Sequence, residues 1–138
     1  MPKESANRLV NYLEKQAGPY LRGAIHYSEE GYDPLYMRDD INALYSDGKM
    51  DELTEYYRRE NQYHSSQEPF ELGNNHCTVN FYDGALLFHF TQGDEVGTVI
   101  TLEPEAGRDI VGFITECLKQ LHYNSPQEIP EAPTWLSE

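Results

Sequence analysis

Positive charge is scarce in this 138-residue chain: 10 Lys and Arg stand against 24 Asp and Glu, a net charge of −14. Such a field repels a phosphate backbone, and the densest basic pair, Arg58-Arg59, is followed at once by Glu60. Nucleic acid is therefore not an expected partner. Long apolar runs are missing too. No stretch reaches membrane-span length, and the opening MPKESANRLV lacks the apolar core of a signal peptide, so no membrane role is expected. Cysteine is limited to Cys77 and Cys117, which form no CxxC pair. That usage fits reduced thiols in a cytoplasmic setting, with both cysteines acting as small core residues. The nucleophile elbow GxSxG and the phosphate loops GxxxxGK[ST] and GxGxxG are all absent. No cofactor is expected.

What is abundant is acid and tyrosine. Of the aromatics, 11 are Tyr, against 5 Phe and a single Trp. Tyrosine joins a buriable ring to a polar tip and suits boundary positions and contact surfaces. The acids keep a protein soluble. They also suit a high-salt cytoplasm, where the screening length falls to a few ångströms and dense carboxylates stop repelling one another.

The pattern predicts a single α+β domain over residues 1–122 and an extended, acidic, proline-containing tail over 123–138. Ser5 is placed to cap a first helix with Ala6, Leu9, Val10, Leu13 and Ala17 on one face, and Gly18-Pro19 ends it. Tyr20 to Tyr27 reads as a strand with Leu21, Gly23, Ile25 and Tyr27 on one face. Tyr32 to Arg38 returns beside it, at a sheet edge because Pro34 cannot donate to a ladder. On that edge Leu35 and Met37 would face the core, and Tyr36 and Arg38 would face out. Asp39 or Asp40 would then cap a short helix through Ile41, Leu44 and Tyr45. A second helix runs from Met50 to about Gln62.

The strongest local signal is HCTVNFYDGALLFHFT, residues 76–91: two alternating runs around Asp83-Gly84, the composition of a two-residue hairpin turn. The turn sets the register, with Tyr82 opposite Ala85, Val79 opposite Phe88 and Thr78 opposite His89. Cys77, Val79, Phe81, Leu86, Phe88 and Phe90 then share one face. His76, Thr78, Asn80, Tyr82, Leu87 and His89 share the other, outward one. Glu95 to Leu102 is a further strand. Pro104 opens a last helix, with Ile110, Phe113, Ile114, Cys117, Leu118 and Leu121 at helical spacing.

The expected fold is thus one five-stranded antiparallel sheet with helices packed on it, in the order α-β-β-α(α)-β-β-β-α. This order resembles the roadblock/longin group among profilin-like architectures, whose members usually act as dimerising scaffolds or small-GTPase regulators. The segments GPYLRGAIHYSEEGYDPLYMRDDI, HCTVNFYDGALLFHF and AGRDIVGFITECLKQL together resemble an uncharacterised family of small haloarchaeal proteins, which implies no activity.

Candidate chemistry is sparse. His76 and His89 lie diagonally on one hairpin face, and zinc would need a third ligand such as His26. With no close-spaced ligand motif, hydrogen-bonded strand histidines are the simpler reading, and no metal is expected. The leading expectation is a non-enzymatic regulatory or protein-interaction domain that forms a homodimer. Its expected contact residues are Tyr36, Arg38, Tyr82, His89 and Trp135; on the tail, Trp135 either docks on this chain or another or packs back on its own sheet. One alternative is a small-molecule sensor with a pocket between sheet and helices, Tyr36, Arg38 and His89 at its mouth. A weaker one is an acid-dependent hydrolase using Asp39 or Asp40.

Overall fold

The computed structural model describes residues 2–45, 48–66, 70–93 and 95–112. The expected tail with Trp135, and the residues Phe113, Ile114, Cys117, Leu118 and Leu121 expected in the last helix, lie outside the described residues. The chain folds as α1 (Pro2–Ala17), β1 (Leu21–Ser28), β2 (Gly31–Met37), α2 (Asp39–Leu44), α3 (Lys49–Ser66), β3 (Cys77–Tyr82), β4 (Ala85–Thr91) and β5 (Gly97–Leu102). The strands form one five-stranded antiparallel sheet in the order β2-β1-β5-β4-β3. The predicted fold class and element order hold. Among the described residues no helix is long and apolar enough to cross a membrane.

Both faces of the sheet are covered, because both faces of its strands are apolar. Val10 of α1 packs with Leu21, Ala24, Ile100 and Leu102 on one face, joined by Leu9, Leu13, Phe88 and Phe90. On the opposite face Tyr57, Met50 and Leu53 of α3 pack with Ile25, Tyr27, Leu87 and Val99. The hairpin face expected to point outward is this second face. Leu87 is buried there under α3, and so is His89.

The helix ends differ from expectation. Proline at the second residue starts α1 ahead of Ser5, whose hydroxyl instead accepts from Arg8 Nη2. Gly18 takes a left-handed φ of 54° after α1, as its lack of a Cβ allows. Arg38 is the N-terminal flanking residue of α2, so Asp39 and Asp40 occupy its first turn and neither caps it. Of that helix's apolar residues only Ile41 is buried; Leu44 is exposed. Pro104–Gly107 forms a 3-10 turn before helical residues 108–112, where Val111 is buried and Ile110 exposed.

Two register shifts correct the strand reading. One lies between Leu21 and Gly23 against β5, so Leu21 joins the α1 face while Ile25 and Tyr27 join the α3 face. The other lies between Ala24 and Ile25 against β2, where Ala24 faces Tyr36 and Ile25 faces Pro34. The extra residue in β2 inverts the alternation. Tyr36 therefore packs against the α1-side core with Leu35 rather than pointing out. Met37 turns toward Met50 and Leu53 on the other face. The hairpin register, in contrast, is as expected at every pair from Cys77–Phe90 to Tyr82–Ala85.

Candidate functional site

The chemistry-bearing side chains converge beneath α3, where three elements meet. Tyr27 comes from the end of β1, between β2 and β5, His89 from β4, and Tyr57, Glu60 and Asn61 from one face of α3. Helical spacing puts Tyr57 and Asn61 one turn apart on that face, with Glu60 beside them. Gly97, opposite Tyr27 on β5, makes room for the phenol, since a Cβ there would overlap the Tyr27 ring.

The result is a hydrogen-bond chain. Glu60 Oε1 lies 3.0 Å from His89 Nδ1, and His89 Nε2 lies 2.6 Å from the Tyr27 hydroxyl. A carboxylate can only accept, so Nδ1 donates to Glu60; in a neutral imidazole Nε2 then accepts the Tyr27 proton, for which the Tyr57 carbonyl at 3.4 Å is a second, longer acceptor. Asn61 Nδ2 then donates to the Tyr27 oxygen at 3.0 Å. The same amide reaches the carbonyls of Gly93 and Val96 at 2.9 and 3.1 Å, which ties the β4–β5 turn to α3. The His89 and Tyr57 rings meet edge-on at 5.1 Å, and the Arg58 guanidinium stands 5.7 Å from the Tyr27 ring centre.

An acid, an imidazole and a hydroxyl in line is the order used to activate nucleophiles. Here burial prevents that use. Tyr27 and His89 are 0% exposed, so no substrate atom can reach the hydroxyl. Burial pushes the Tyr27 phenol up to about 12, away from the phenolate. The arrangement satisfies polar groups in a dry interior and fixes how α3 sits on the sheet.

Arg38 anchors a different corner. Its guanidinium donates to both Asp40 oxygens at 2.7 and 3.0 Å, to Glu103 at 2.6 Å and to the Pro19 carbonyl at 2.9 Å. It thus joins the ends of β2 and β5 to the turn after α1. The hydrogen bonds from Arg38 hold the Asp40 carboxyl below its usual range, which suits an ion-pair partner and not a general acid. Arg58 does similar work at the other end, donating to Glu55 and to the carbonyls of Ser28 and Gly31 in the β1–β2 turn.

The residues expected to form one contact site are therefore dispersed. Tyr36 lies in the α1-side core, Arg38 in its ion pairs, His89 under α3, and Trp135 outside the described residues. Tyr82 alone of the four described stands exposed, at 49%, at the end of β3. His26 bonds Thr98 on the α1 face, opposite to His89, and no cluster of metal-ligating side chains occurs among the described residues. The cleft between the sheet and α2–α3 measures about 30 Å³, bounded by Gly23, Met37, Ile41, Met50 and Leu53. That is room for water and far below a ligand pocket, typically ~300–1,000 Å³. Sequence reasoning missed Glu60, Asn61 and Tyr27 as a unit. Asn61 on the apolar side of α3, in line with Leu53 and Tyr57, was the available signal.

The sheet's outer edges are unlike each other. β2 carries Pro34, Asp33 and the bulge, features that blunt an edge. β3, the last strand among the described residues, is regular and holds no charged residue and no proline from His76 to Tyr82. Val79 in its centre is 42% exposed.

No curated protein matches the chain. A family model does, over residues 7–122, which covers both helical layers and the whole sheet. The chain belongs to the family described as the domain of unknown function DUF7522.

Proposed function

We propose that this chain is a non-enzymatic protein-interaction or regulatory domain that works by association through its sheet edge, in a salt-rich cytoplasm. The observation that carries the reading is the contrast between a blunted β2 and an uncharged, regular β3 in a protein of net charge −14. An unprotected edge strand is a template for another strand, and selection normally marks such edges with charge or proline. The burial of His89 and Tyr27, the inner links of the chain that starts at the half-buried Glu60, supports the non-enzymatic half of the reading. The resemblance of the element order to roadblock and longin domains points toward scaffolding or regulation as well. The cleft between the sheet and α2–α3, about 30 Å³, gives the sensor alternative with its pocket between sheet and helices no support.

The acid excess supports the salt-rich setting. At ~1 M salt the Debye length is about 3 Å, so acid-bearing surfaces can approach one another. A concentration series by light scattering in multimolar potassium chloride tests the proposal. A mass that rises with concentration supports it. A strictly monomeric mass, with nothing retained from cell extract on the immobilised chain, contradicts it.

A further inference from the structure

We draw no further inference here: the strongest candidate, the open groove along α3 lined by Tyr56, Tyr63, Glu52, Glu55, Arg59 and Glu60, is an acid-rich helix face, and nothing in the structure shows what covers it.

Discussion

At the scale of single residues, the hydrogen-bond chain Glu60–His89–Tyr27–Asn61, buried from His89 inward, fixes how α3 sits on the sheet. Removing the Tyr27 hydroxyl leaves the buried His89 Nε2 without its partner, while Asn61 keeps the Gly93 and Val96 carbonyls; the loss costs about 1–3 kcal/mol. Tyr27→Phe should lower unfolding free energy by that amount in urea titrations, with the denaturant slope unchanged. Gly97→Ala should cost at least as much, because the added methyl overlaps the Tyr27 ring. The phenol also gives a sign for alkaline pH. Its folded value, about 12, lies above its ordinary 10, so the folded state holds this proton more tightly. Stability from this group is complete below pH 10 and is lost as pH rises from 10 toward 12. Urea titrations across that window should show the loss in the native chain and a smaller one in Tyr27→Phe. The sequence told half of this. Period-two alternation placed His89 opposite Thr78 and on the face of Leu87. It could not tell that α3 covers that face, because coverage is set by packing between elements far apart in the chain.

At the scale of elements, local chemistry was legible and irregularity was not. The Asp83-Gly84 turn fixes the hairpin register by itself, and all its pairs are as expected. Pro34 marked the edge strand, but the bulge beside it, which moves Tyr36 into the α1-side core, depends on fitting β2 to β1. Arg38 was expected to project for a partner; instead the neighbouring ends of β5 and the turn after α1 supply its acceptors. Arg38→Ala should therefore loosen this corner. Amide exchange at the C-terminal end of β2 should accelerate by about tenfold or more, while exchange in β4 stays unchanged. Asp40 adds an acid-side dependence. Its folded value is lowered by Arg38, so its contribution is complete above the ordinary carboxylate range and is lost as pH falls through the lowered value. Arg38→Ala should flatten that acid limb.

At the scale of the whole molecule, the account joins an acid-rich surface to one uncharged edge. Screening decides whether two copies, each of net charge −14, can meet. The fraction of dimer should rise steeply with salt between millimolar and multimolar potassium chloride and level off once the screening length is shorter than the gap between surface acids. Composition made the charge legible from the start. The choice of edge needed the sheet order, which sets β3 at the outer position and β5 at the centre. The most direct measurement is amide exchange along β3 as a function of protein concentration in multimolar salt. If association runs through the β3 edge, the β3 amides not bonded to β4 should slow by at least tenfold over the concentrations at which the mass rises from 15.9 kDa toward twice that value. Exchange along β3 that stays unchanged while the mass doubles would contradict the account.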